Sequence, residues 1–307
     1  MYDAVNITNL FIPKGKIVVT TKGKTKANTK SYKTNREPLD TEMPVAVLIN
    51  RKSASASEIV SGALQDYDRG VVIGQRSYGK GLVQRYFELN YGTQMKATIS
   101  KYYTPSGRCI QELDYANRDP KTKKVPKFSD SGVNKFKTEK GRTVLDGGGV
   151  LPDIIMEEQE KNEATKALLK SRTIFNFATD YLNTNPTINA DNYSFSDFDA
   201  FKNYIKTEDS SFKTNQEKLF QKAFDSKKEN SNITNEYNAL TTKLKTIKAE
   251  EISENKDIII PLIENEILER FIYKKGLYKR NFTKDKTIRK AVNILSNTSE
   301  YNSILGK

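Results

Sequence analysis

The 307-residue sequence predicts an α/β domain followed by an all-helical module. In the first half, two continuous apolar runs stand on either side of a helically patterned segment. Strand, helix and strand in that order are typical of a βαβ unit with a parallel sheet. In the second half, glycine is scarce and apolar residues recur at spacings of three and four, which is typical of helices. We therefore expect domains over residues 1–156 and 157–307.

The two apolar runs are the predicted strands of this unit. Residues 45–49 are uniformly apolar, as in a strand buried on both faces, and residues 71–73 repeat the pattern. Between them, the apolar side chains of residues 57–67 fall on one helical face. Ser55 and Glu58 stand in the S-x-x-E spacing of a capping box, which predicts that the helix begins at this point.

Beyond this unit the sequence predicts a hairpin and then helices. Residues 82–89 and 95–103 are rich in β-forming residues and flank a glycine turn, which is a hairpin signal. In the second half, aromatic residues such as Phe198 and Phe201 are helically spaced. Aromatic residues at this spacing are more typical of a helical core than of contacts to a cofactor.

The chain has no histidine and a single cysteine, Cys109. Without imidazole, Ser-His-Asp, Cys-His and histidine-metal sites are excluded. One thiol also excludes an internal disulfide and a thiolate zinc site. We therefore expect no metal and no cofactor, and any chemistry has to use hydroxyls, carboxylates, lysines or the backbone.

The formal net charge of +13 is concentrated in the first half. Residues 1–156 hold 26 Lys and Arg against 15 Asp and Glu, whereas the remainder holds 25 against 23. Many of these charges lie in segments typical of solvated loops, and no nucleic-acid-binding motif accompanies them, so we expect no nucleic-acid partner. No apolar stretch approaches the ~18 residues that would span a bilayer, so stable membrane insertion is not predicted either. The first residues do not have the pattern of a secretory signal.

A serine-rich turn stands before the predicted helix, and a glycine-flanked lysine follows the second predicted strand. The hydroxyl of Ser55 would lie at a helix N-terminus, where free amides and the helix dipole favour developing negative charge. Gln84 follows Lys80 by four residues, so both side chains face the same way on an extended strand. A lysine can replace histidine as general base if burial lowers its pKa from about 10.4 towards neutrality. Gln84 would then hydrogen-bond the amine and orient it towards Ser55.

The same residues also have a purely structural interpretation. Ser55 can be a plain N-cap and Lys80 an exposed turn lysine, and from spacing alone this interpretation is the more common one. A phosphate-binding loop is excluded, because Lys80 is followed by Gly81 rather than by serine or threonine.

Four sequence blocks that occur together, and in order, favour the catalytic interpretation. They are Ser-Ala-Ser-Ala-Ser-Glu-Ile at residues 53–59, Ala-Leu-Gln-Asp at 63–66, Gly-Lys-Gly-Leu-Val-Gln at 79–84 and Tyr-Tyr-Thr-Pro-Ser-Gly-Arg at 102–108. In these blocks the sequence closely resembles the C-terminal processing peptidases, also called tail-specific proteases. The helical second half is similar, though less specifically, to extensions of such proteins in Bacteroidetes-type bacteria.

The resemblance implies a role for each matching residue. It makes Ser55 the nucleophile, Lys80 the general base and Gln84 the residue that orients the base, and the backbone amide of Ala56 becomes an oxyanion donor. It further implies a crotonase-like α/β core, here partial, and cleavage of protein or peptide substrates near their C-termini. The location that it implies is the periplasm or bacterial cell envelope.

Family members usually carry a signal sequence, a helical region, a PDZ domain and a glycine-rich oxyanion segment before the part that this sequence matches. We therefore expect a chain truncated at its N-terminus, and loss of one oxyanion donor typically slows such enzymes about 100- to 1000-fold. The sequence leaves two hypotheses open. One is a serine endopeptidase impaired by truncation, and the other is a non-catalytic protein-interaction fragment of such a peptidase.

Overall fold

The computed structural model describes residues 1–207, 212–226 and 231–307, which form two compact units. Met1–Glu158 and Asp285–Lys307 make up the first unit, and Gln159–Lys284 make up the second. The strands are β1 (Ile17–Gly23), β2 (Lys30–Lys33), β3 (Ala46–Ile49), β4 (Val71–Gly74), β5 (Leu82–Glu88), β6 (Gln94–Tyr103), β7 (Lys135–Lys137), β8 (Thr143–Leu145) and β9 (Ile154–Ile155). The helices are α1 (Tyr2–Asn9), α2 (Ala56–Asp66), α3 (Glu163–Leu169), α4 (Thr173–Thr184), α5 (Phe198–Thr207), α6 (Asn215–Asp225), α7 (Ser231–Glu254), α8 (Lys256–Phe282), α9 (Lys286–Ser296) and α10 (Thr298–Ile304).

The first unit contains the parallel strand–helix–strand unit that the sequence predicts. β3 and β4 run parallel, with Ala46 opposite Val71 and Ile49 opposite Gly74, and α2 connects them. β9 pairs in parallel with the other edge of β4. The mixed α/β class is therefore confirmed, whereas the crotonase-like arrangement stays a prediction.

The burial of the two predicted strands differs. β4 is buried along its whole length, as its apolar run predicts, but Leu48 of β3 is 42% exposed. The reason is the strand order β3-β4-β9, in which β4 is central and β3 lies at an edge. A uniformly apolar run therefore identifies the strand but overestimates how much of it is covered.

A second sheet, of order β2-β1-β6-β5, is antiparallel and contains the predicted hairpin. In this hairpin Leu82 lies opposite Lys101 and Glu88 lies opposite Gln94. β5 begins directly after Gly81, so the sheet fixes the position of the glycine-flanked lysine.

The last residues of the chain pack on the parallel sheet. Along β4, Val72 contributes to one apolar cluster, whereas Val71 and Ile73 contribute to another with α9 and α10. This alternation follows from the period of two in a strand. The Tyr301 hydroxyl accepts a hydrogen bond of 2.9 Å from the Val45 amide and lies 3.2 Å from the Arg69 carbonyl oxygen, its acceptor.

This packing changes the domain division that the sequence predicts. The predicted helical domain of residues 157–307 loses its last part, because residues 285–307 belong to the first unit. Helical spacing shows that α9 has an apolar face, but it does not say which surface that face covers.

The second unit is helical and has an aromatic core. Phe177 and Phe201 are buried, with ring centroids 5.1 Å apart and planes at 76°, an edge-to-face arrangement. Phe198, Ile259 and Ile263 belong to the same cluster, which confirms the prediction of core positions for Phe198 and Phe201, whereas α6 has no buried residue. Across the described parts of the chain, none of the helices combines the length and the apolar character needed to cross a membrane.

Candidate active site

Ser55 occupies the sharp turn between β3 and α2. It is the N-cap of α2 and has φ 56° and ψ −111°, a left-handed backbone conformation that residues with a Cβ rarely adopt. Such strain typically costs about 1 to 3 kcal/mol and persists only where surrounding contacts hold it. Strained strand-to-helix turns also present the nucleophilic serine in α/β-hydrolases.

Glu58 holds the Ser55 turn and the Lys80 turn together. Its side chain is completely buried, and one carboxylate oxygen, Oε2, accepts from the Ser55 amide at 2.8 Å and from the Lys80 amide at 2.9 Å. The other oxygen, Oε1, accepts from the Ser77 hydroxyl at 2.5 Å and from the Gly79 amide at 2.6 Å. Four donors therefore satisfy the carboxylate, which is the condition under which a buried charge is tolerated.

The tight packing of the turn that contains Lys80 explains why a glycine stands at position 79. Gly79 has φ +83°, and a Cβ there would come within 2.6 Å of the Glu112 Cβ. The Tyr78 amide donates to the Ser53 carbonyl oxygen at 2.9 Å, a second direct bond between the lysine turn and the serine turn. The Gly81 amide donates to the Gln111 Oε1 at 2.7 Å.

Tyr102, on β6, makes a further link between the two turns. Its hydroxyl is within hydrogen-bonding reach of the carbonyl oxygens of Ser55, at 3.3 Å, and of Lys80. The residue is only 2% exposed. Burial, reinforced by the negative charge of Glu58, raises the pKa of Tyr102 well above its ordinary value, so the hydroxyl remains a donor in alkaline solution.

Replacing Tyr102 by Phe should remove one source of alkaline destabilisation. The pKa of Tyr102 is higher in the folded chain than in the unfolded chain, so the unfolded chain releases this proton first and stability falls as the pH rises above about 10. We expect the free energy of unfolding in urea to fall less steeply between about pH 9 and 11 for Tyr102→Phe than for wild type. Tyr86→Phe, at an exposed tyrosine of β5, should keep the wild-type slope. Parallel slopes for Tyr102→Phe and wild type would contradict the assignment.

Two of the four predicted site residues line an open groove of about 930 Å³, whereas Ser55 and Ala56 are not among its described lining residues. Lys80 and Gln84 line it, and so does Ala54, the residue before Ser55. Ala56 is the first residue of α2, so its backbone amide belongs to the turn whose N–H groups have no acceptor within the helix. The hypothesis of a lysine base includes burial of the ammonium, but both Lys80 and Gln84 are exposed. The described residues therefore do not supply that burial.

The roles of Glu58 and Tyr102 were not predicted from the sequence. Glu58 is predicted only as the last residue of a capping box, and it does accept from the Ser55 amide as such a residue should. Its bonds to Ser77, Gly79 and Lys80 join segments about twenty residues apart in the chain. The signal that could have indicated them is a carboxylate directly beside the apolar face of a short helix, where a buried charge needs several donors.

Comparison with known proteins matches both halves of the chain. Residues 1–116 match the family described as peptidase family S41, and residues 164–295 match the one described as probable PDZ-protease, C-terminal helical domain. A carboxy-terminal-processing protease of Bartonella bacilliformis is 43% identical over 111 residues, or 36% of this chain and 25% of that protein. A carboxyl-terminal-processing protease of Synechocystis sp. is 39% identical over 109 residues, with the same two coverages.

This chain thus spans about a quarter of the length of these relatives. Among solved structures, the photosystem II D1 C-terminal processing protease is 26% identical. The match covers 50% of this chain and 30% of the chain of that structure. The TM-score of 0.35 is too low for that superposition to add to the assignment. The sequence matches thus show a likeness to peptidase family S41 over residues 1–116 and to the C-terminal helical domain of probable PDZ-proteases over residues 164–295.

Proposed function

We propose that the first unit is the catalytic part of a serine endopeptidase that cleaves protein substrates near their C-termini. The observation that carries the proposal is the pair of bonds from the Ser55 and Lys80 amides to one oxygen of Glu58. A nucleophile and its base have to be held in a fixed relation, and this carboxylate fixes the backbone of both. The match of residues 1–116 to family S41 and the names of the processing proteases that the chain resembles support the same function.

In the proposed mechanism, Ser55 and Lys80 form the catalytic dyad. The Ser55 Oγ attacks the peptide carbonyl carbon while the Lys80 amine takes the hydroxyl proton, and Lys80 then returns that proton to the leaving amine. The Ala56 amide stabilises the oxyanion, and Gln84 orients the lysine amine. Water then hydrolyses the acyl-enzyme, with Lys80 again acting as the base. By family likeness, we also place this reaction in the periplasm or cell envelope.

Exposure of Lys80 favours a second candidate function. A lysine acts as general base only in its neutral amine form, which burial favours, and Lys80 is exposed. The same fold could therefore bind protein partners without cleaving them. In that case the described surface of the groove serves binding alone.

A peptide-cleavage assay separates the two candidates. We expect Ser55→Ala to abolish cleavage and Lys80→Met to slow it by about 100-fold or more, which is the usual contribution of a general base. Gln84→Ala should slow cleavage about tenfold, because Gln84 acts through the lysine. Lys24→Met, at an exposed lysine outside the groove, is the matched control and should keep the wild-type rate. Cleavage by Ser55→Ala at the wild-type rate would overturn the proposed function. If neither the wild-type chain nor any variant cleaves the peptide, the result favours the binding role.

A further inference from the structure

The groove beside Ser55 is bordered by positive charge that the proposed mechanism does not use. Arg51 and Lys52, in the turn that leads from β3 to Ser55, both line it. Lys80 lines it as well, whereas Glu112 is the acidic side chain among its described lining residues. Even without Lys80, which the proposed mechanism uses as a neutral amine, Arg51 and Lys52 outnumber the one carboxylate among the described lining residues.

Neighbouring carboxylates leave most of this charge uncompensated. Glu112 is itself paired with a further cation, Lys127, whose ammonium lies 2.6 Å from the carboxylate. Glu158 lies 3.9 Å from the Arg51 guanidinium, but the two side chains are 44% and 80% exposed, so that pair is weak. Glu58 is buried and directs its oxygens at four donors of its own.

The position of these cations relates them to the substrate. Lys52 precedes Ser55 by only three residues in the same turn. A peptide whose scissile carbonyl meets Ser55 would therefore place residues adjacent to that bond near Arg51 and Lys52. Acidic side chains at those positions would gain favourable charge interactions, while basic ones would be repelled.

We propose that Arg51 and Lys52 select peptide substrates that carry acidic side chains next to the bond to be cleaved. This specificity rests on the proposed function, since it assigns the substrate class of the same groove. Exposed ion pairs are individually weak and are screened by salt, so the preference is modest and depends on ionic strength.

Binding of two matched peptides tests this preference without turnover. Short fluorescent peptides with amidated C-termini, identical except for two Glu in one and two Gln in the other, are titrated against the Ser55→Ala chain. We expect the acidic peptide to bind about fivefold more tightly at about 0.05 M salt and less than twofold more tightly at about 0.5 M. The double variant with Arg51→Gln and Lys52→Gln should lose the preference for the acidic peptide. The control variant with Lys24→Gln and Lys26→Gln removes the same amount of charge from exposed positions outside the groove. It should keep the preference for the acidic peptide.

Four results would overturn the specificity. These are equal affinities for the two peptides, no measurable binding of either, and a preference that persists when Arg51 and Lys52 are neutralised or vanishes equally in the Lys24 and Lys26 control. The proposed function has a separate test, because covalent labelling of Ser55 by a small uncharged probe does not depend on peptide charge. Labelling without a preference for acidic peptides would leave the function standing and refute the specificity alone.

Discussion

Replacing Glu58 by Gln should destabilise the first unit by about 2 to 4 kcal/mol and disrupt the candidate active site at the same time. Each carboxylate oxygen of Glu58 accepts from two donors, with distances of 2.5 to 2.9 Å. The amide of glutamine supplies one acceptor oxygen and one NH₂ group. Whichever way it is oriented, two donors then face another donor inside the protein, and the charge assistance of all four bonds is lost.

This change should be visible both in stability and at individual amides. Urea unfolding measures the free-energy loss, and hydrogen exchange should show faster exchange at the amides of Ser55, Gly79 and Lys80. Glu112→Gln makes the same chemical change in a partly exposed ion pair with Lys127 and should cost less than about 1 kcal/mol. Equal losses for the two variants would show that Glu58 does not hold the turns together.

Replacing Arg108 by Met should cost about 3 to 5 kcal/mol, because it leaves a buried carboxylate without its partner. The Arg108 guanidinium is completely buried and donates to Asp66 at 2.8 Å and to the Gln65 side-chain oxygen at 2.7 Å. Burial lowers the pKa of Arg108, while the Asp66 carboxylate beside it opposes that shift. Asp66 also accepts from the Ser106 amide at 2.9 Å, so the pair ties the end of α2 to the turn after β6.

A double-mutant cycle separates the missing partner from lost packing. Asp66→Asn in the Arg108→Met background removes the uncompensated charge and should recover part of the lost stability. Lys16→Met breaks a salt bridge to Glu139 of 2.6 Å, whose side chains are 42% and 50% exposed, and should cost no more than about 1 kcal/mol. If Arg108→Met unfolds at the wild-type urea concentration, the buried pair has been misassigned.

Local patterns in the sequence predict much of the fold around the site. The apolar runs give β3 and β4, the helical face between them gives α2, and the S-x-x-E spacing gives its beginning at Ser55. Each of these depends on residues a few positions apart, where backbone periodicity dictates which side chains share a face.

Features that depend on distant partners were not predictable in the same way. Nothing in the local pattern around Glu58 indicates that its carboxylate reaches the turn at Lys80, and nothing in α9 indicates that it covers β4. The exposure of Lys80 likewise depends on what packs around it rather than on its flanking glycines. Tertiary packing decides all three, and one sequence specifies it only through the complete fold.

Covalent labelling with a fluorophosphonate tests the central claim, a Ser55 nucleophile assisted by Lys80, most directly. The Ser55 Oγ would form a bond to phosphorus as the phosphorus–fluorine bond breaks, with the hydroxyl proton passing to Lys80 and fluoride leaving. Mass spectrometry of the wild-type chain should find one adduct, on the peptide that contains Ser55. Ser55→Ala should remain unlabelled, and Lys80→Met should be labelled about 100-fold more slowly. An adduct on another residue, or equal labelling of wild type and Ser55→Ala, would contradict the account.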